Sequence, residues 1–133
     1  MVKPRLWTRS FLLVSTMNFF VYLVYYLLMV IIAGYAMKRL NASPSQAGLA
    51  VGIFIVGALI SRIYAGSAID RVGWKRMFYI GLSVYLVATA LYFNASSLLF
   101  LSVTRFLHGI GFGIASIATG TVAAGIIPSE RRG

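Results

Sequence analysis

A chain of 133 residues with 60% hydrophobic and only 11% charged side chains lies far from soluble globular usage, where about a quarter of residues carry charge; lipid is its expected solvent. The net charge of +10 does not point to nucleic acid, because the Lys and Arg residues sit mainly at the ends of apolar runs rather than on one soluble face. With no cysteine, one histidine, two acids and no nucleophile–base arrangement, the composition excludes disulfides and thiolate metal sites and argues against an enzyme, a metal centre or a bound cofactor.

The apolar runs predict an all-α fold, a polytopic membrane bundle of four transmembrane helices over about 10–37, 45–69, 77–94 and 98–127. The first run, Phe11 to Met37, carries no charged side chain over more than the ~20 residues a crossing needs. Lys3, Arg5 and Arg9 ahead of it and Gly34-Tyr35-Ala36 near its end resemble a secretory leader, but a leader's apolar core is only ~7 to 15 residues, so this helix is expected to stay. Asn18, Tyr22, Tyr25 and Tyr26 fall near one face of it. Rings with polar tips suit either packing or a cavity for amphipathic or cationic solutes.

In "KRLNASPSQ", Asn41, Ser43 and Pro44 end the first helix, and Ser43 or Ser45 is placed to cap the second. The second helix carries small residues at Gly48, Gly52, Gly57, Ser61, Ala65 and Ala68, a pattern of close helix contact. Its Arg62 is expected to snorkel or to make a structural contact.

"GSAIDRVGWKR", residues 66 to 76, is expected to be a charged loop between the second and third helices. Gly66 would let the second helix approach a neighbour and Gly73 would permit a sharp turn. Asp70 would cap amides or meet a positive helix N-terminus, while Arg71, Lys75 and Arg76 hold the headgroups or pair with acids. "NASS" reads as a tight polar turn before the fourth helix.

In that last helix Gly109, Gly113, Ser116, Gly120 and Ala124 form one stripe of small residues, which either simply packs or lets helices rock as rigid bodies. Arg105 lies about seven residues into the helix, near 10 Å at 1.5 Å per residue. An arginine there costs at least ~2.5 kcal/mol on insertion scales, so it should face protein or a wet cavity unless it snorkels outward. Both acids sit at a membrane edge, so its partner must be a carboxylate in further sequence, an anionic substrate group, or carbonyls and water. His108 shares its face, either as a proton-linked switch or as a neutral hydrogen-bonding group.

Three Lys and Arg precede the first helix, two follow it, three separate the second and third helices and two follow the fourth. One side therefore collects eight and the other two, which predicts a multi-pass protein of the cell membrane with both ends of the chain and the charged loop cytoplasmic.

Two stretches carry a resemblance. "GSAIDRVGWKR" resembles the loop signature G-x-L-A-D-R-x-G-R-K of the major facilitator superfamily, with Gly66, Asp70, Arg71, Gly73 and Lys75 matching and Trp74 replacing a basic residue. "RFLHGIGFG" is similar to that family's fourth-helix signature R-x-x-Q-G-x-G, with Arg105, Gly109 and Gly111 in place and His108 where glutamine is common. "IIPSERRG" resembles the connector after helix four in drug-exporter-like members, and places Glu130, Arg131 and Arg132 to join the charged loop.

The resemblance implies an incomplete portion of a twelve-helix transporter, one three-helix repeat and the first helix of the next, whose missing C-terminal helices complete a midplane site. It implies alternating access, with proton-coupled efflux of drug-like or amphipathic metabolites and the Asp70 loop a cytoplasmic latch; the residues read above as candidates for substrate or proton coupling are Arg105, His108, Asn18, Tyr22 and Tyr25. The acid often seen in helix one of drug antiporters is missing, with Asn18 the nearest polar residue. The alternatives are a stand-alone four-helix protein acting as a homodimeric exporter, whose membrane-embedded glutamate is absent here, or a non-transporting interaction module, which would need neither Arg105 nor Asp70.

Overall fold

The structure, a computed structural model, describes residues 7–127. Four helices follow one another: α1 (Arg9–Arg39), α2 (Pro44–Val72), α3 (Trp74–Leu91), which tightens into a 3-10 turn at Tyr92–Asn94, and α4 (Leu98–Ile126). Among the described residues there is no strand, and all four helices are long and apolar enough to span a membrane. Lys3, Arg5, Glu130, Arg131 and Arg132, and the "PSERRG" connector, lie outside the described residues.

The helix starts follow from polar caps. Thr8 accepts from the Phe11 amide (3.2 Å) and Ser97 from the Phe100 amide (3.1 Å). Ser43, rather than Ser45, caps α2: it accepts from the Gln46 amide (3.2 Å) while the Gln46 side chain accepts from the Ser43 amide (2.9 Å), with Pro44 opening the first turn. Between α1 and α2, Asn41 takes a left-handed conformation (φ 53°), and the Leu40 and Ala42 amides both return to the Ala36 carbonyl.

The charged stretch is not a loop, which corrects the expected boundaries. α2 continues to Val72 and α3 starts at Trp74, so Gly73 alone connects them. Its φ of 88° lies in the region where a side chain is strained. Its amide donates to the Ile69 carbonyl (2.9 Å) and its carbonyl accepts from the Met77 amide (3.1 Å), so a single residue closes one helix and opens the next. Asp70 and Arg71 thus occupy the last turn of α2, and Lys75 and Arg76 the first turn of α3.

α4 is the central element, lying along both α2 and α3, while α1 leans more lightly on α2 and α4. Hydrophobic drive between helices is weak in lipid, so close backbone approach decides which faces meet. A Cβ added at Gly109 would strike the Phe54 carbonyl, and one at Gly113 the Ala58 carbonyl and the Ser61 hydroxyl, all on α2. Gly111 instead faces α3, where a Cβ would lie 2.5 Å from the Tyr85 amide nitrogen. Gly57 and Gly81 return the contact from α2 and α3.

Gly66 and Gly120 depart from expectation, since a Cβ at either meets nothing within 4 Å, and the same holds for Gly48 and Gly52. Spacing alone puts a glycine on a face without showing whether that face is covered. Two phenols tie α1 down: Tyr85 donates to the Val21 carbonyl (2.7 Å), and Tyr35 donates to the Ala95 carbonyl (2.6 Å) in the α3–α4 turn.

Candidate functional site

Two guanidinium groups face an aromatic wall from opposite ends. Tyr25 stacks on Phe54 (4.8 Å between centroids) and on Phe112 (5.4 Å), and Tyr22 meets Phe112 edge-on at 5.0 Å. Arg105 Cζ sits 4.6 Å from the centre of the Phe54 ring, and Arg62 Cζ sits 5.5 Å from that of Phe112. α1 supplies the tyrosines, α2 supplies Phe54 and Arg62, and α4 supplies Phe112 and Arg105.

Arg105 is fully buried. It does not snorkel: its Nη2 donates to the Val51 carbonyl on α2 (3.1 Å). One charge-assisted hydrogen bond contributes ~1.5–3 kcal/mol and a desolvated cation–π contact ~2 kcal/mol. Together these are of the same order as the ~2.5–3.5 kcal/mol that a central arginine costs on insertion scales. The balance is incomplete in structure, because Nε and Nη1 of Arg105 are buried without a hydrogen-bond partner among the described residues.

His108, equally buried, lies one turn further along α4. Its Nδ1 is 3.1 Å from the Tyr92 hydroxyl and its Nε2 is 3.3 Å from the Thr89 hydroxyl. The single Thr89 proton goes to the Tyr85 carbonyl (2.8 Å), so toward the imidazole Thr89 accepts. Nε2 is therefore the donor and Nδ1 accepts from Tyr92, a full complement for neutral imidazole. Of the two roles open to His108, this network suits the neutral one.

Arg62 turns inward. Its Nε and Nη2 donate to the Ser116 hydroxyl (3.3 and 3.2 Å), which itself donates to the Gly113 carbonyl (3.0 Å). Asn18 on α1 meets the Thr119 hydroxyl at 3.3 Å. Between α1, α2 and α4 an opening of about 500 Å³ runs past Tyr22, Arg62, Ser116, Gly120 and Thr121, and a smaller one of about 230 Å³ adjoins it at Asn18 and Thr119.

The structure thus brings Tyr22, Tyr25, Arg105 and His108 to one aromatic centre, Ser116 and Gly120 to the opening beside Arg62, and Asn18 to the smaller opening that adjoins it. Gly66, Asp70, Arg71, Gly73, Lys75 and Arg76 form a separate exposed group at the α2–α3 junction. Asp70 caps no amide and makes no hydrogen bond or ion pair among the described residues. Lys75 Nζ lies over the Trp74 ring at 5.5 Å. No three His, Cys, Asp or Glu side chains come together among the described residues. Sequence reasoning missed Thr89 and Tyr92 as partners of His108; their only signal was a polar residue three apart on an apolar helix. It also missed Arg62 as part of an opening, because depth alone does not say toward which neighbour a long side chain bends.

The sequence pattern of the Major Facilitator Superfamily matches residues 14–133. The chain is 34% identical over 86 residues to the probable plastidic glucose transporter 1 of Arabidopsis thaliana, covering 65% of this chain and 16% of that one. It is 32% identical over 91 residues to the niacin transporter NiaP of Acinetobacter baylyi (68% and 21% covered). It is 34% identical over 94 residues to the multidrug resistance protein MdtL of Salmonella paratyphi C (70% and 24% covered). In each case the match spans less than a quarter of the relative's length. No solved structure gives a significant match.

Proposed function

The chain belongs to the Major Facilitator Superfamily, and from that membership we propose that it forms the amino-terminal part of a transporter moving a small solute across the cell membrane by alternating access. Further helices would complete the bundle, both ends of this chain would be cytoplasmic, and the chain itself would catalyse no covalent chemistry. Proton-coupled efflux of drug-like or amphipathic metabolites is the subclass favoured by the fourth-helix signature and by the multidrug relative.

One observation carries this reading: the buried guanidinium of Arg105 with two unpartnered nitrogens. A carboxylate brought beside Arg105 is favoured in its charged form and releases its proton; carried away into a low-dielectric surrounding, it takes one up again. Among the described residues the one acid, Asp70, sits in the last turn of α2, away from Arg105, so the carboxylate would come from another helix or from the solute. Tyr22 and Tyr25 supply the apolar wall against which a solute slides, and His108 holds α3 to α4 beside the cation as a positioning group.

At the other end, Asp70 is exposed and unpaired among the described residues, beside a one-residue connection. As a latch it would meet the positive N-terminus of a helix from the opposite half when the cytoplasmic side is closed. The glycine-lined α2–α4 seam keeps these helices together as one body during that motion.

The test is uptake by the protein in proteoliposomes, with glucose, nicotinate and ethidium as probes and an imposed pH gradient. At least one probe should enter saturably and respond to the gradient, and Arg105→Ala should abolish that response. No protein-dependent uptake of any probe, or an unchanged gradient response in Arg105→Ala, contradicts the proposal.

A further inference from the structure

The second arginine has unused capacity with a definite shape. Ser116 occupies one edge of the Arg62 guanidinium, the edge formed by Nε and Nη2, and its hydroxyl is saturated by accepting twice and donating once to Gly113. The other edge, Nη1 with the remaining N–H of Nη2, has no protein partner among the described residues. That edge presents two parallel donors, the geometry that pairs with both oxygens of a carboxylate. The only acid among the described residues, Asp70, is eight residues further along α2, about 12 Å by helical rise, and does not reach it.

The space in front of Arg62 fits this geometry. The opening of about 500 Å³ combines the cation with the Tyr22 ring, Ile117 and Ala124, and it joins a smaller opening that offers the Asn18 amide. Gly120 lines both openings, and a Cβ there would meet nothing within 4 Å. Its missing side chain leaves room in the cavity and serves no helix contact among the described residues. The lining combines the cation with the Ser116 and Thr121 hydroxyls and with the apolar Ile117 and Ala124, and among the described residues it has no negative group to receive a cationic solute.

We propose that Arg62, flanked by Tyr22, Asn18 and Ser116, is a subsite for the carboxylate of a small organic acid whose apolar body lies along the Tyr22 side of the opening. The inference rests on the transport reading for its purpose, but it concerns equilibrium binding and is tested without transport. The subsite discriminates by charge: an organic acid is held, its neutral amide weakly, and an amine of the same shape is repelled.

The experiment uses the full protein in lipid nanodiscs and measures binding of radiolabelled benzoate, with benzamide and benzylamine as competitors. Benzoate should bind saturably, and benzamide should compete at least tenfold less well than unlabelled benzoate. Arg62→Gln should weaken benzoate binding at least tenfold, with Arg62→Lys intermediate. Gly120→Leu guards against misfolding as the explanation: Gly120 lines the opening and an added Cβ there meets nothing within 4 Å, so the larger side chain should remove binding while the melting temperature stays near the wild-type value. Equal competition by benzamide, undiminished binding in Arg62→Gln, or full binding in Gly120→Leu overturns the subsite. Arg62-dependent benzoate binding without uptake of any probe supports the subsite and removes the transport reading. Coupled uptake in a protein that binds benzoate independently of Arg62 does the reverse.

Discussion

Gly111→Ala should damage the bundle although it adds only a methyl group. In α4 this glycine faces α3, and an added Cβ would lie 2.5 Å from the Tyr85 amide nitrogen, 2.8 Å from the Tyr85 Cα and 2.9 Å from the Gly81 carbonyl. Ordinary contact begins at 3.4 Å, so the closest pair must separate by 3.4 − 2.5 = 0.9 Å. All three atoms belong to the backbone, so no side chain can swing aside and α3 must move as a unit. Overpacking typically costs ~1–3 kcal/mol. The upper end applies here, because the shift also strains the neighbouring Tyr85, Thr89 and His108 contacts, and it outweighs the ~1 kcal/mol that alanine gains over glycine in a helix. A net loss of about 2 kcal/mol is roughly a thirtyfold fall in the folded-to-unfolded ratio. Thermal melting of the protein in detergent, followed by size-exclusion fluorescence, reads this directly, with Gly48→Ala as the comparison because its added Cβ meets no described atom. A clear fall in melting temperature for Gly111→Ala against little change for Gly48→Ala is expected; equal melting of both refutes the claim that backbone contact sets the α3–α4 seam.

Asp70→Asn should slow transport severalfold while abundance and insertion stay near wild type, since the carboxylate has no partner among the described residues whose loss would destabilise the fold; wild-type uptake rates would remove the latch. Tyr92→Phe should leave His108 Nδ1 buried without its donor, at a cost of ~1–3 kcal/mol in melting stability, and nitrogen NMR of the wild-type ring should show the neutral tautomer protonated at Nε2. A protonated imidazolium at neutral pH would refute that assignment. Gly73→Ala should lower stability by roughly 1 kcal/mol or more because of its φ of 88°, a loss that melting would reveal.

Four crossings were readable because long uncharged runs have few alternatives to a spanning helix. Ser43 or Ser45 was readable as the start of the second helix through short-range chemistry that leaves a local imprint, and the cap is Ser43; the caps Thr8 and Ser97 came only with the fold. Partners were far less readable. In lipid the face that meets protein and the face that meets acyl chains are both apolar, so periodicity loses the contrast it has in water. Gly109 and Gly120 look alike in the chain, yet one is pressed against Phe54 and the other borders an opening. The charged stretch misled for a related reason. Arg and Lys suggest a loop in a greasy chain, but they are good helix formers, and here they prolong α2 and α3 to the single residue, Gly73, that must turn. Arg105 was readable from its cost alone; its neighbours Phe54, Val51 and Tyr92 came only with the fold.

In the proposed arrangement the Gly73 connection and Asp70 face the cytoplasm. The chain has no cysteine, so Asp70→Cys introduces a single thiol into it, to be placed in an otherwise cysteine-free protein. Labelling that position with a membrane-impermeant maleimide tests the arrangement. Modification only after the membrane is opened is the predicted result, and rapid modification in intact cells would contradict it.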